Sequence, residues 1–296
     1  MTAVFVFSRR NQEATTLAYF DYVLAAFQNR GALVMEEERF MASGNGQFVP
    51  DGDRIINFYC DKPQDVWQRC HPQFRWNYAI DEVAKDDGRA YATKIMQCKT
   101  NDCSRMIVTF ANPKHLASLH ALGISTVGMP CCPPRIRPRT TKPNAIAAFG
   151  SYHPKTYPER TRVKDLLVRT FGPQNVHEFM GDKKVGEQYA EVLDNYQLGI
   201  TDRAGFRDRF VNKYVEYGAS HVLPVGDCPS YMPIDMKQAM VNTEGKDPKW
   251  IVSEVNRLLH NREELVTRQE AYTNSVARNF NILFHADRVI KTITSA

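Results

Sequence analysis

The segment Pro133–Pro143 (PPRIRPRTTKP) holds four prolines and four basic residues, with no acidic residue among them. Proline fixes φ and removes a backbone donor, so this stretch continues neither a helix nor a central strand. It splits a 296-residue chain into two parts with the same rhythm. Before it, Ala3–Phe7, Ala32–Met35, Ile55–Tyr59, Met106–Phe110 and Ile124–Met129 are short apolar runs. Between the first two, Leu17, Phe20, Val23, Leu24 and Phe27 recur at helical spacing up to Gly31. After it, Ala145–Phe149, Val176–Phe179, Gln197–Thr201 and His221–Val225 read as strands, and Glu159–Arg169, Gly186–Asn195 and Arg207–Tyr217 as helices. Beyond Asp247-Pro248, an N-cap followed by a first-turn proline, the chain reads as mainly helical to about Ile293. Uninterrupted apolar runs suit parallel strands buried on both faces. The alternation predicts an α/β protein of two Rossmann-like domains, 1–132 and 144–296, joined by a 133–143 linker. Ligands of such sheets lie beyond the carboxyl ends of the strands, so a cleft between the domains is the expected site.

Composition narrows the class. With 43% hydrophobic residues the chain has enough apolar surface to fold. No run of about 18 apolar residues occurs, so no membrane span or membrane partner is expected. The five apolar residues Ala3–Phe7 are shorter than a secretory core. Seven cysteines without a C-x2-C pair read as reduced thiols in a cytoplasmic protein, with no metal site expected. The formal charge of +5 permits a polyanionic partner without demanding one.

The most informative stretch is Asp208–Pro224 (DRFVNKYVEYGASHVLP). As a helix, Phe206, Phe210 and Tyr214 form an apolar stripe, while Arg209, Asn212, Lys213 and Glu216 gather opposite it. Taken alone, that polar face is an ordinary solvated surface with an internal ion pair. Its position before a buried strand suggests a second reading, in which Lys213 meets a phosphate and Glu216 accepts ribose hydroxyls. A second stretch, Phe149-Gly150-Ser151 with Lys155 and Arg160 ahead of a helix, has the makings of a diphosphate cradle.

The run NKYVEY, followed by small residues and an apolar strand, resembles the donor-site signature of GT-B glycosyltransferases, and most of all the spore-maturation (CgeB-like) family, which also occurs in phages. The likeness covers residues 144–293 and fades before 106. Asp208 and Glu216, separated by seven residues, resemble the acidic pair of the retaining members, with Asp in place of the first Glu. The resemblance implies a donor nucleotide-sugar domain at 144–296 whose last helices cross back to an acceptor-side domain at 1–132. It further implies that Gly150, Ser151, Lys155, Arg160, Arg209, Lys213 and Glu216 bind the nucleotide sugar, a UDP-sugar above all, with Asp208 facing the sugar. The resemblance also implies a metal-independent enzyme with no cofactor beyond its donor substrate; the one Asp-x-Asp run, Asp51-Gly52-Asp53, lies outside the donor domain. A retaining enzyme of this kind needs no protein base; an inverting one would take Asp61, at the end of the Ile55–Cys60 strand.

The acceptor is the open choice. Arg9 and Arg10 follow the first strand, and Arg135, Arg137 and Arg139 line the linker; together they would track the phosphates of double-stranded DNA carrying a hydroxymethylated pyrimidine. The alternatives are a glycan, lipid-linked or protein acceptor, and, from another class, a non-catalytic DNA-binding protein. Trp67, Phe74, Trp76 and Tyr78 read as core aromatics.

Overall fold

The computed structural model of the chain describes residues 2–9, 20–43, 53–58, 60, 63–79, 103–109, 112–133, 135–150, 152, 154–179, 186–205 and 208–295. The chain divides into two compact units, Met1–Pro134 with Ile282–Ala296, and Arg135–Asn281. Both are parallel α/β sheets.

In the first unit, strands β1 (Ala3–Phe7), β2 (Leu33–Glu36), β3 (Arg54–Phe58), β4 (Arg75–Ala79), β5 (Arg105–Val108) and β6 (Ser125–Gly128) lie in the order β2-β1-β3-β4-β5-β6. Helices α1 (Phe20–Gln28), α2 (Glu37–Ala42), α3 (Pro63–Trp67) and α4 (Pro113–His120) connect them. The two-residue period of a strand explains why β1 is apolar at every position. Ala3, Phe5 and Phe7 share a core with Leu24 and Phe27 of α1, whereas Val4 and Val6 pack on the other face with Phe40 and Val66. Phe5 stacks on Phe27 with centroids 4.1 Å apart. Trp67, Trp76 and Tyr78 are buried and Phe74 packs against the core, so these aromatics do pack. That Trp76 and Tyr78 stand on a strand of their own was not legible: polar Arg75 and Asn77 interrupt the run.

The second unit contains β7 (Asn144–Phe149), β8 (Val176–Phe179), β9 (Tyr196–Ile200), β10 (Leu223–Gly226) and β11 (Val241–Asn242), in the order β11-β10-β9-β7-β8. Its helices are α5 (Pro158–Phe171), α6 (Gly186–Leu193), α7 (Lys213–Ala219), α8 (Ile234–Ala239), α9 (Pro248–His260) and α10 (Arg262–Asn279). The strand order reverses between β7 and β9, which makes their carboxyl ends the topological switch point. A final helix, α11 (Ile282–Ser295), belongs to the first unit. Its Ala286, Val289 and Ile293 enter the core with Phe5 and Phe27, and Arg288 donates to the carbonyl of Gly128 at 2.7 Å.

Two expectations need correction. The proline-rich segment is not a free-standing linker from Arg135 onward. It belongs to the second unit, where the Arg137 amide donates to Ala219 O at 2.9 Å and Lys142 donates to the carbonyls of Asp194 and Ser220. The helix expected over Arg207–Tyr217 begins only at Lys213. Asp208 has φ +45°, in the left-handed region that a right-handed helix excludes, and so Arg209 and Asn212 precede the helix rather than sharing its polar face.

Candidate functional site

Gly150 directly follows β7 at the switch point, with φ +98°. A Cβ there would stand 2.7 Å from Cε of Lys213, 3.3 Å from its Nζ and 3.5 Å from Nη1 of Arg160. The backbone angle therefore favours glycine, and the end of the Lys213 side chain occupies the space a Cβ would take.

Arg160 lies in the first turn of α5 and is almost wholly buried. Asp202, which follows β9 and is also buried, accepts from the Arg160 amide at 3.1 Å and from Ala204 N at 3.2 Å, and stands 3.5 Å from Nη2 of Arg160. One carboxylate thus satisfies an orphan amide of the α5 N-terminus and partners the guanidinium. Burial raises the Asp202 carboxyl, with Arg160 opposing the shift. The Arg160 guanidinium also lies 4.3 Å from the centroid of the Tyr157 ring.

Lys213 opens α7. Its ammonium donates to the Tyr189 hydroxyl at 2.7 Å and is 3.9 Å from Oε2 of Glu216, close enough for charge attraction but too far for a hydrogen bond. Burial pulls Lys213 down to about 8, opposed by Glu216 and reinforced by Arg160. Glu216, one turn on, is buried and pushed up by desolvation, against the pull of Lys213 and Arg160. Among the described residues its carboxylate accepts no hydrogen bond, although it can accept about four. An acidic group held in a dry site with two cations and no donor is equipped to receive a ligand's hydroxyls.

The structure therefore gathers Gly150, Arg160, Lys213 and Glu216. Other expected residues lie elsewhere. Asp208 is held by Ser230, accepting from its amide at 2.8 Å and its hydroxyl at 2.5 Å, and is 3.9 Å from Arg203. Arg209 is half-buried and Lys155 exposed. Arg137 pairs with Asp194 at 2.7 Å, and Arg139 with Glu270 at 3.1 Å and with Gln269. The Arg137 pair lies at the amino edge of the second sheet, opposite the end that carries Gly150, because Asp194 and Asn195 lead into β9 and Asn144 pairs there. Arg135 is exposed, and Arg9 is exposed and paired with Glu36. Ser151, Asp61 and Arg10 lie outside the described residues. Among the described residues no group of three His, Cys, Asp or Glu could hold a metal ion, and no helix is long and apolar enough to cross a membrane. Asp202 and Tyr189 escaped sequence reading. Asp202 had a usable signal, an acid directly after a strand; Tyr189 had none.

No protein-family model matches the chain, nor does any curated protein sequence. Solved structures do resemble it. An alpha-glucosyltransferase in complex with UDP-glucose and DNA containing an abasic site aligns over 99% of both chains, with TM-score 0.65 and 9% identity. The chain has the GT-B glycosyltransferase fold. Anabaena HepE in complex with UDP and glucose aligns over 100% of both chains, with TM-score 0.62 and 10% identity. TarM aligns with TM-score 0.61 and 10% identity over 82% of this chain; the chain spans 55% of TarM's length. At these identities the shared property is the GT-B fold.

Proposed function

We propose that this chain is a GT-B glycosyltransferase of the spore-maturation type that moves a sugar from a UDP-sugar to a hydroxyl acceptor. The observation that carries the reading is the cluster at the β7–β9 switch point, where partly buried Lys213 and buried Arg160 lie against Gly150 beside the Glu216 carboxylate, which accepts no hydrogen bond among the described residues. Glu216 would accept the ribose hydroxyls, and Lys213 and Arg160 would face the diphosphate. In the reaction the bond from the anomeric carbon to the β-phosphate oxygen breaks and the acceptor oxygen bonds to that carbon. Negative charge builds on the leaving diphosphate, where the two cations stabilise it; a low-dielectric setting strengthens that effect. Their positive charge supports a metal-independent mechanism. In the retaining course the acceptor proton passes to the departing phosphate oxygen, so no protein base is needed.

The acceptor we favour is a hydroxymethylated pyrimidine in double-stranded DNA. Support comes from the fold shared with an alpha-glucosyltransferase solved with UDP and a 13-mer DNA containing an HMU base, and from Arg9 just beyond β1, which is exposed although paired with Glu36. Arg137 and Arg139 do not add to this, since their guanidiniums are committed within the second unit.

Two measurements test the reading. Calorimetry should detect UDP and UDP-glucose binding by the wild type and loss of binding by a folded Glu216→Ala variant; unchanged affinity in that variant overturns the donor site. Radiolabelled UDP-glucose should then label hydroxymethylated duplex DNA and leave unmodified duplex unlabelled. Labelling of neither duplex, in a protein that binds UDP, removes the DNA acceptor.

A further inference from the structure

Lys213 is an unusual ammonium. Three elements hold it: the end of β7 through the Gly150 backbone, α6 through Tyr189, and its own helix α7 through Glu216 and Tyr217. Arg160 of α5 faces it as well, as a like charge. Among the described residues, the Tyr189 hydroxyl is the hydrogen-bond acceptor it reaches, at 2.7 Å, and the Tyr189 ring centroid lies 4.9 Å from Nζ. An ammonium has three donors, so two remain for a ligand.

We propose that Tyr189 is a positioning residue that aims the Lys213 ammonium at the donor diphosphate and keeps it charged. This role rests on the donor-site reading of Lys213. The chemistry of the partner matters. A carboxylate at hydrogen-bond distance would hold the ammonium equally well but would cancel its field at the phosphates. A phenol accepts one hydrogen bond and carries no charge, so it orients the cation without adding to the opposing charge that Glu216 already places 3.9 Å away. The bond also offsets part of the desolvation that drives Lys213 toward neutrality, because accepting from the charged form favours that form. The Tyr189 ring is itself braced edge-on against Phe149, centroids 6.3 Å apart.

The test uses Tyr189→Phe, which keeps the ring and removes the acceptor. UDP affinity is measured by calorimetry from pH 6 to pH 9.5 in wild type and variant. Wild-type affinity should fall as pH rises through about 8, where Lys213 loses its proton. In Tyr189→Phe the fall should move about one pH unit toward acid, with affinity at pH 6 nearly unchanged. A fall at the same pH in both proteins, or an equal loss at every pH, overturns the role. In parallel, the 13Cε signal of Lys213, assigned by its disappearance in Lys213→Arg, is titrated without ligand. Its midpoint should drop in Tyr189→Phe. Failure of the wild type to bind UDP would remove the donor reading alone; the titration then decides the coupling, and an unmoved midpoint overturns it.

Discussion

The Lys213 side chain lies on the bare backbone of Gly150, so close that a Cβ there would stand 2.7 Å from Cε. Two consequences follow for Gly150→Ala. A left-handed φ of +98° strains any L-residue, and the new methyl must push the lysine aside. The variant should lose about 1–3 kcal/mol of stability from the backbone term. UDP affinity should fall at least about tenfold as Lys213 leaves the site. Chemical denaturation and calorimetry on the same sample check both. Wild-type UDP affinity in Gly150→Ala would show that Lys213 does not need this floor.

Glu216→Gln separates binding from folding. The ionised carboxylate is already disfavoured by burial, so a neutral isostere should leave stability within about 1 kcal/mol of wild type. UDP affinity should fall about 10–100-fold, the worth of hydrogen bonds to a charged group. The 2′,3′-dideoxy analogue of UDP lacks the ribose hydroxyls and should bind wild type and variant equally. A variant penalty that persists with that analogue would place Glu216 away from the ribose.

Asp227 predicts a pH dependence of stability. Burial pushes its carboxyl up to about 6, aided by Asp202 and Glu159, while the Arg203 amide and guanidinium oppose the shift. The native state therefore holds this proton over a range where the unfolded chain has released it. The contribution is full below about pH 4 and is lost as pH rises through about 6. Between those values wild type should lose about 2–3 kcal/mol relative to Asp227→Asn. Urea denaturation of both proteins from pH 4 to pH 7 reads the difference, and parallel curves would refute the assignment.

Gly218→Ala should run against helix propensity. Replacing a helical glycine by alanine ordinarily stabilises by roughly 1 kcal/mol. Here the Cβ would meet Cγ2 of Val276 at 2.4 Å, on helix α10, whose Thr273 hydroxyl also donates to the Gly218 carbonyl at 2.9 Å. Overpacking of about 1–3 kcal/mol wins, so thermal unfolding should occur at lower temperature. Val276→Ala added to Gly218→Ala should recover part of the loss; no recovery would mean that another contact is responsible.

Much of this was written locally. The apolar run Ala3–Phe7 is β1 residue for residue, since a strand buried on both faces has no room for a polar position. Ala145–Phe149 and Val176–Phe179 read equally well as β7 and β8. The helix over Arg207–Tyr217 did not. Of its apolar stripe, Phe210 and Tyr214 are buried with rings 5.0 Å apart and Phe206 lies outside the described residues, but Asp208 takes a left-handed angle that periodicity cannot register. The linker arginines misled for a related reason. Charge density in sequence does not reveal that Asp194, far along the chain, will take up Arg137.

What the sequence determined by itself was the alternation, and hence two parallel α/β sheets, along with the presence of a glycine, two cationic side chains and a carboxylate in the two stretches that supply the cluster. These depend on side-chain period and type, which are local properties. The tertiary structure alone decided that Gly150, Arg160, Lys213 and Glu216 converge, that Asp202 partners Arg160, and that Tyr189 takes the proton-bearing end of Lys213. Convergence depends on strand order. Because β9 pairs with β7, residues some sixty positions apart meet at one sheet end, and burial there gives the lysine and the glutamate their altered acidities.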